Sequence, residues 1–445
     1  MAGMSRREGA DRVVPMFPEV TVSGVSAYAR GKTYGSRVPE LIQHSIATYA
    51  RLYAYRRGMD WAASQEAALA YQPILQEKAS DVLEEMRGIA DGSGRKLAEI
   101  LALNVRTELL AGKESGQVHP GWQEALFANS AANVPSHNDD GGELLDSSSE
   151  FATTRGRARA QDDFGECTTA AAQPAATTTG ATIVAQTWDW SGDQRAACVL
   201  LRIYEPDQPE ILTITEAGIV AKHGFNSEGV AVGLNMMHSK TDGQAVGMPI
   251  HVLLRMMLRA KTFDEARAIP SAHGSSASSC VVLASSAGQL VALEVTPSGV
   301  GEVPAQNGRL VHTNHALHPD LAGHACDIGV SNTTHDRHRR ASQMLQAGSG
   351  SEGRLHLDDF KAILCDHEGQ PRSICRHPDK RVAAVDRKET VCAFIIDLGV
   401  MGLHVAPHLP CACQYETVML DFSPAIERGN VALVIADSCS LCVPA

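Results

Sequence analysis

The sequence predicts a layered α+β protein, and three observations support this fold class. Residues 33–110 carry apolar side chains at helical spacing. Short apolar segments separated by turns follow residue 167 and are typical of strands. Two helical segments, at residues 249–258 and after Thr262, interrupt these strands. Helices grouped in sequence beside many antiparallel strands indicate helix layers that cover sheets.

The first helical region is predicted from the spacing of its apolar residues. Ile42, Ile46, Tyr49 and Tyr53 recur at intervals of four, three and four residues, which places them on one helix face. The same pattern continues over residues 75–89. The DGSG sequence at residues 91–94 interrupts it, and a third helix is expected from residue 97 to about residue 109.

A segment of low complexity separates these helices from the strands. Residues 111–163 are rich in Ser, Ala, Gly, Asn and Asp and show little periodicity. Because such a segment buries too little apolar surface to offset the entropy of ordering it, we predict a flexible insertion. The chain is thus divided into an N-terminal segment (1–32), a helical part (33–110), the insertion (111–163), a core (164–422) and a C-terminal tail (423–445).

The core is predicted to consist mainly of short strands. Several of them, such as those containing VVL at residues 281–283 and FII at residues 394–396, are apolar on both faces, as buried strands are. A capping box of Thr262 and Glu265 begins the second helix of the core. The predicted strands cover residues 182–190, 197–204, 211–216, 229–236, 279–284, 290–295, 309–314, 391–398 and 418–422.

Charge and composition exclude several classes of function. The net charge of −12 argues against nucleic-acid binding, which needs clustered Lys and Arg to neutralise phosphates. No apolar run approaches the roughly 20 residues of a membrane span, and residues 1–20 lack the pattern of a secretory signal. Eleven scattered cysteines cannot all pair with one another, which favours a reducing compartment. Since residues 443–445 also form no recognisable peroxisomal tripeptide, we expect a cytoplasmic protein.

One cysteine lies where the low-complexity segment meets the strands. It is Cys167, in the pentapeptide GECTT at residues 165–169. A cysteine followed by two hydroxyl residues at such a junction fits a strand-entry residue as well as a nucleophile. The pentapeptide alone therefore does not decide between the two.

An ordered set of further motifs favours the nucleophile. The motifs are EMRGIA (85–90), LNVRTE (103–108), QTWD (186–189), TEAGI (215–219), GFNSEGV (224–230), GLN (233–235), VHTNH (311–315), DRHR (336–339) and SICR (373–376). Each one is weak, but in this order the sequence resembles the acyl-coenzyme A:6-aminopenicillanic acid acyltransferase (isopenicillin N acyltransferase) family. The resemblance covers about residues 25–110 and 164–422. It implies the four-layer αββα sandwich of the N-terminal nucleophile hydrolases.

The resemblance also implies roles for individual residues. The precursor is expected to cleave itself between Glu166 and Cys167, giving an α chain (1–166) and a β chain (167–445). Asp189 is expected close to the new amino terminus, and Asn235 matches the family's oxyanion-hole residue. The remaining predicted active-site polar residues are Asn314 and Arg376. The expected substrates are small amides or acyl thioesters, coenzyme A being a substrate carrier, and neither a metal nor an organic cofactor is expected.

The chemistry of cysteine gives such a cleavage a purpose. A thiol with a pKa near 8.5 is mostly neutral at pH 7 and needs a base to become a nucleophile. A free α-amino group has a pKa of about 7.7–8.0 and sits on the same residue, whereas an amide nitrogen has no basicity to offer. Breaking the bond before Cys167 is therefore expected to create the catalyst.

Two departures and three alternatives accompany this hypothesis. Glu166 occupies a position that is glycine in the best-known members, and the tail after residue 422 has no recognised counterpart. The same scaffold also suits an N-acyl or β-alanyl amide hydrolase that transfers nothing to an amine. A four-thiolate zinc site formed by Cys411, Cys413, Cys439 and Cys442 is a less favoured alternative, because the CxC spacing is poor for zinc. The remaining alternative is a catalytically silent scaffold.

Overall fold

The structure of the protein is a computed structural model that describes residues 15–111, 166–244, 246–323 and 333–420. Apart from residue 111 at a helix end, the predicted insertion (111–163) lies outside the described residues, as does the predicted tail (423–445). The described part contains two β-sheets that face one another, with helices packed on both outer sides.

Helices form the first part of the described chain and contain the region predicted from periodicity. Gly58 and Gly94 follow two of these helices with φ angles of 60° and 68°, which suits their left-handed C-cap positions. The first helix begins before residue 33, inside the segment for which no element was predicted. The helices are α1 (Ala27–Arg37), α2 (Pro39–Arg57), α3 (Trp61–Leu69), α4 (Gln72–Lys78), α5 (Ser80–Ser93), α6 (Leu97–Asn104) and α7 (Arg106–Ala111).

The larger sheet has eight strands within the described residues. In spatial order they are β1 (Glu19–Ser23), β4 (Cys198–Tyr204), β5 (Ile211–Glu216), β6 (His223–Asn226), β7 (Val230–Met236), β8 (Ser279–Ser285), β9 (Leu290–Thr296) and β10 (Gly299–Pro304). Strand β1 runs parallel to β4, whereas the other neighbours are antiparallel. The segment before the helices thus supplies an edge strand to a sheet built from the core.

The smaller sheet has six strands within the described residues, and all its neighbours are antiparallel. In spatial order they are β11 (Arg309–His312), β2 (Glu166–Ala172), β3 (Ile183–Ser191), β12 (Lys388–Asp397), β13 (Gly402–Ala406) and β14 (Glu416–Met419). Cys167 is the second residue of β2, with β3 on one side and β11 on the other.

The layers follow from the alternation of side chains along these strands. On β2 and β3, Ala171, Val184 and Trp188 belong to the core between the two sheets. The intervening residues Ala170 and Ala185 belong instead to a second cluster, which contains helix residues. The later helices are α8 (Ile250–Arg259), α9 (Phe263–His273), α10 (Pro319–Ala322), α11 (Thr334–Ala347) and α12 (Leu357–Leu364).

Helices cover both sheets and complete a four-layer αββα sandwich. Helices α11 and α12 pack on the outer face of the smaller sheet, and α8 and α9 pack on strands of the larger one. The predicted α+β class and αββα layering are therefore confirmed. Within the described residues, no helix combines the length and the apolar character that crossing a bilayer requires.

Most predicted strands agree closely with the observed ones. Six of the nine, from 182–190 to 290–295, begin and end within one residue of β3, β4, β5, β7, β8 and β9. The strand predicted at 309–314 ends at His312, so Asn314 lies in the turn that follows it. The strand predicted at 418–422 corresponds to β14, and its last two residues lie outside the described chain.

Candidate active site

The side chain of Cys167 is buried between the sheets and lines a small pocket. Only 3% of its surface is exposed, and its backbone lies opposite Trp188 in the β2–β3 pair. The free space in the pocket is about 10 Å³, which is room for roughly one water molecule. Its lining consists of Arg106, Cys167, Trp188, Asp189, Trp190, Lys222, Leu234 and Met236. The sulfur therefore faces a closely packed pocket with room for little more than a water molecule beside it.

Asn314 and Arg337 hold the backbone of Cys167 on both sides of its Cα atom. The Cys167 N–H donates to Asn314 Oδ1 at 3.0 Å. Arg337 Nη1 donates to the Cys167 carbonyl oxygen at 2.8 Å and to Thr168 Oγ1 at 2.9 Å. Arg337 Nη2 donates to Asn314 Oδ1 at 2.9 Å, and Asn314 Nδ2 donates to the Met236 carbonyl oxygen at 2.9 Å. The nitrogen before the Cys167 Cα atom is thus fixed by a buried, charged network.

Asp189 lies beside the bond that precedes Cys167. In the β2–β3 register it is opposite Glu166, and its Oδ1 accepts a hydrogen bond from Thr390 Oγ1 at 2.7 Å. Burial raises the pKa of Asp189 to about 7, although the Arg337 guanidinium and the Thr390 hydroxyl act in the opposite direction. A carboxyl group with a pKa near neutrality is able both to accept and to donate a proton.

The thiol of Cys167 is a weak acid in this environment. Burial raises its pKa, and the Asp189 carboxylate adds to this effect. The backbone of Asp189 and the cations Lys222 and Arg337 oppose it without reversing it. In the uncut chain the sulfur is therefore mainly a neutral thiol at pH 7, and it needs a base before it attacks a carbonyl carbon.

Asn235 and Arg376 lie near Cys167 but are connected to it through other residues. Asn235 is on β7 of the facing sheet, where its Oδ1 accepts from Thr169 Oγ1 at 2.6 Å and its Nδ2 donates to the His312 carbonyl oxygen at 3.2 Å. The Arg376 N–H donates to Thr390 Oγ1 at 2.9 Å, and Thr390 in turn donates to Asp189. The oxyanion-hole role of Asn235 stays a prediction, and Arg376 supports Asp189 through its backbone.

The structure thus gathers the sequence-predicted residues around one strand end. Asn314 bonds directly to Cys167. Asp189 faces the residue before it. Asn235 bonds to Thr169, two residues further along β2, and Arg376 is linked to Asp189 through Thr390 by two hydrogen bonds.

Three charged residues of the pocket region were not assigned roles from the sequence. Lys222 Nζ lies 3.5 Å from the centroid of the Trp188 ring and 2.9 Å from Glu216 Oε2, while Arg106 Nε lies 3.5 Å from Glu216 Oε1. Burial lowers the pKa of Lys222 to about 8, against the raising effect of Glu216. Burial alone would raise the pKa of Glu216, but Arg106 and Lys222 hold it below its usual range. The two cations Arg106 and Lys222 thus stand against two carboxyl groups near the sulfur, Glu216 and Asp189.

Arg337 is the other residue that sequence reasoning missed. It belongs to the DRHR motif on α11, but the motif gives no sign that the second residue points into the site. Its position on a helix face against β2 becomes evident only from the packing of α11 on that strand. Arg106 and Glu216 likewise lie in motifs, LNVRTE and TEAGI, whose apolar neighbours gave no sign of an ion pair.

Comparison with known proteins identifies a curated relative. A curated relative, the "Acyl-coenzyme A:6-aminopenicillanic-acid-acyltransferase 40 kDa form" of Emericella nidulans, is 28% identical over 306 residues, which cover 68% of this chain and 70% of the relative.

Two solved structures show a weaker likeness. A variant of the conjugated bile acid hydrolase of Clostridium perfringens has 12% identity and a TM-score of 0.37, covering 59% of this chain and 100% of its own. Penicillin V acylase of Agrobacterium tumefaciens has 13% identity and a TM-score of 0.36, covering 54% and 82%. Likeness at this level supports no inference about the chemistry of this chain.

A family model gives the decisive match. The model described as "Acyl-coenzyme A:6-aminopenicillanic acid acyl-transferase" matches residues 176–405, more than half of the chain. The matched range starts after Cys167 and contains Asp189, Asn235, Asn314 and Arg376. The chain is therefore an enzyme and belongs to the acyl-coenzyme A:6-aminopenicillanic acid acyl-transferase family.

Proposed function

We propose that the protein cleaves its own Glu166–Cys167 bond and then uses Cys167 as an N-terminal nucleophile on small amides or acyl thioesters. The observation that carries this proposal is the environment of Cys167, both at its backbone and at its sulfur. Its N–H and its carbonyl oxygen are both held by the Asn314–Arg337 network, while its sulfur lines a pocket. Any buried backbone needs hydrogen-bond partners, but here a charged side-chain network supplies them beyond the point where pairing with β11 ends.

Self-cleavage begins with attack of the Cys167 sulfur on the carbonyl carbon of Glu166. The C–S bond forms and the C–N bond breaks, so the acyl group moves from nitrogen to sulfur and the nitrogen becomes an amine. The thiol proton ends on that nitrogen, and Asp189, whose pKa is about 7, is suited to carry it there. Water then hydrolyses the thioester and leaves a free carboxylate on residue 166.

The mature site then contains its own base. The α-amino group takes the thiol proton, and the sulfur attacks the carbonyl carbon of the substrate. Asn314 Oδ1, which accepts from this nitrogen in the uncut chain, is placed to orient the amine afterwards. Hydrogen-bond donors aimed at the resulting oxyanion are each worth about 3–4 kcal/mol, and Asn235 is the residue proposed for this role. Collapse of the intermediate expels the amine or thiol and leaves an acyl group on Cys167.

The acceptor of the acyl group in the second half of the reaction decides whether the enzyme is a hydrolase or a transferase. Water releases the acid, whereas an amine accepts the acyl group as an amide. We propose transfer from a coenzyme A thioester to an amine related to 6-aminopenicillanic acid, since the curated relative carries that name. The cations Arg106 and Lys222 in the pocket lining are suited to a substrate with an anionic group.

Intact mass spectrometry tests the self-cleavage. The wild-type chain is expected to give two fragments, the larger beginning with Cys167, whereas Cys167→Ala gives one uncut chain. Cys280→Ala is the matched control, because it also removes a fully buried strand thiol but lies on β8. Active wild-type protein with the bond still closed, or a Cys167→Ala chain cut at the same bond, overturns the proposal.

A product assay separates transfer from hydrolysis. Purified mature protein is incubated with an acyl-coenzyme A thioester, with and without 6-aminopenicillanic acid, and the products are separated by chromatography. Amide formation that depends on both the amine and Cys167 supports transfer. Free acid formed at the same rate with and without the amine identifies the protein as a hydrolase.

A further inference from the structure

Four metal-binding side chains converge outside the active site. They are His367, Cys375, His377 and Cys411, and one donor atom from each lies within 4.8 Å of all the others. His367 follows α12, Cys375 and His377 belong to the loop before β12, and Cys411 follows β13. Separate segments of chain thus bring two thiols and two imidazoles to one point.

Four of the six distances between these donor atoms are close to the edges of a tetrahedral zinc site, and the other two, from His367 to the sulfurs, are within 4.8 Å. Zn–S bonds of ~2.3 Å and Zn–N bonds of ~2.0–2.1 Å give tetrahedral edges of ~3.8 Å for S–S, ~3.6 Å for S–N and ~3.4 Å for N–N. Here Cys375 Sγ lies 3.6 Å from Cys411 Sγ. The two sulfurs lie 3.8 Å and 3.4 Å from His377 Nε2, which is 3.1 Å from His367 Nε2.

We propose that these four residues bind a structural zinc ion. A Cys₂His₂ set of tetrahedral geometry is typical of zinc, and four protein donors leave no position for a substrate. On binding, the two thiols release their protons to solvent, so two thiolates balance the charge of Zn²⁺ while both imidazoles stay neutral.

The surrounding backbone already holds the ligands in place. The Cys375 N–H donates to the Asp366 carbonyl oxygen at 3.0 Å, and the His377 N–H donates to the Pro371 carbonyl oxygen at 2.9 Å. Ser373 Oγ donates to the Cys375 carbonyl oxygen at 2.6 Å. Such ordering of the ligand loop reduces the entropy that metal binding has to overcome.

A disulfide accounts for less of this arrangement. It would join Cys375 to Cys411 but would give no reason for two imidazole Nε2 atoms to lie 3.1 Å apart beside the sulfurs. A shared cation explains all four side chains at once.

The ligand set differs from the zinc alternative considered from the sequence. Cys411 belongs to both, but Cys413 does not join the cluster, and its Sγ donates to the Leu409 carbonyl oxygen at 3.5 Å. Cys439 and Cys442 lie outside the described residues.

The zinc site is connected to the candidate active site through one residue. Arg376 lies between the ligands Cys375 and His377, and its N–H donates to Thr390 Oγ1, which donates to Asp189. When the ion holds Cys375 and His377, it also holds the Arg376 backbone and its hydrogen bond to Thr390 in place. The ion is therefore expected to act on Asp189 by positioning the loop, without touching the reacting atoms.

Metal analysis of the purified full-length chain tests the proposal, and the uncleaved Cys167→Ala protein makes the test independent of processing and activity. Plasma mass spectrometry is expected to find one zinc per chain in both proteins. The Cys375→Ser/Cys411→Ser double variant should lose it, whereas Cys413→Ser, which changes a neighbouring thiol outside the cluster, should retain it. Zinc retained in the double variant overturns the assignment.

Two further measurements use the unmodified cluster, so they do not depend on a variant that folds. Cys411 is exposed, and alkylation followed by peptide mapping should label it only after a chelator has removed the metal. Cobalt added to the chelated protein should give thiolate-to-metal charge-transfer bands. Labelling of Cys411 at the same rate with and without chelator, or a Cys375–Cys411 disulfide in non-reduced peptides, contradicts the zinc site.

Discussion

Replacing Arg337 by leucine should slow self-cleavage much more than it lowers the stability of the fold. The side chain is 2% exposed and donates to the Cys167 carbonyl oxygen, Thr168 Oγ1 and Asn314 Oδ1. Hydrogen bonds from a charged donor contribute about 1.5–3 kcal/mol each. Two of the three position the groups on either side of the Cys167 Cα atom, so their loss amounts to about 3–6 kcal/mol. If the lost hydrogen-bond energy raises the free energy of the transition state by this amount, cleavage slows by roughly 10²–10⁴-fold.

The assay follows intact precursor by mass spectrometry over time, with the folded fraction measured by circular dichroism. Arg339→Leu is the matched control, since Arg339 lies on the same helix but is about half exposed and pairs with Glu368 at 3.0 Å. We expect the control to cleave at the wild-type rate. The Arg337→Lys variant keeps the charge but cannot form the same fork of hydrogen bonds, so it should also cleave slowly.

The pH dependence gives a second readout that a merely structural defect would not move. Arg337 opposes the burial that raises the pKa of Asp189 to about 7. Removing the cation should raise this pKa further, so the acidic limb of the cleavage profile should shift to higher pH in Arg337→Leu. In Arg337→Lys the limb should stay near its wild-type position. Folded Arg337→Leu protein that cleaves at the wild-type rate, or a limb that stays in place, refutes this account of Arg337.

Two further predictions concern stability. Gly31→Ala should destabilise the protein by more than the usual ~1–3 kcal/mol of overpacking in urea unfolding, because the added Cβ would lie 1.9 Å from the Glu85 carbonyl oxygen between α1 and α5. Gly323→Ala, which meets no atom within 4 Å, should change stability little, and equal effects would disprove the close packing. Burial raises the pKa of Glu108 to about 7. The folded state therefore holds a proton that the unfolded state has lost, and stability falls as pH rises from about 4 to 7. Glu108→Gln, which keeps an acceptor for the Ile250 N–H, should remove this loss, and calorimetry should show a much larger gain in Tm at pH 8 than at pH 5. The same gain at both pH values would contradict it.

Much of the fold was predictable because local sequence and burial agree. Strands such as Ile211–Glu216 are apolar and bounded by turn residues, so their limits follow from composition. The strand Glu19–Ser23 was missed although its two valines alternate with polar residues, because it has only five residues and its parallel pairing with β4 spans a long stretch of chain. The strand Gly299–Pro304 was missed because its glycines and proline are typical of turns.

The site was predictable to a lesser extent. Cys167, Asp189 and Asn314 were found because the order of family motifs marks them, and the structure brings them together. The charges of Lys222 and Arg337 were missed, since a single cation in a motif does not show which face it occupies. The proposed zinc ligands could not be predicted from the sequence for another reason. His367 and Cys411 are far apart in sequence, and only the turn after β13 brings them together.

The parallel pairing of β1 with β4 has a consequence for the proposed two-chain product. The first part of the chain supplies an edge strand to a sheet formed by the second part. In addition, Asn104 Nδ2 donates to the Gly218 carbonyl oxygen at 2.9 Å, and Asn104 Oδ1 accepts from the Val220 N–H at 3.0 Å. Tyr49 joins the buried Glu216 in the same way. Severing one covalent bond at residue 166 leaves all of this in place. A denaturing gel would then show two bands where native mass measurement shows a single particle, and neither piece would be free to leave without dismantling the interior that both share.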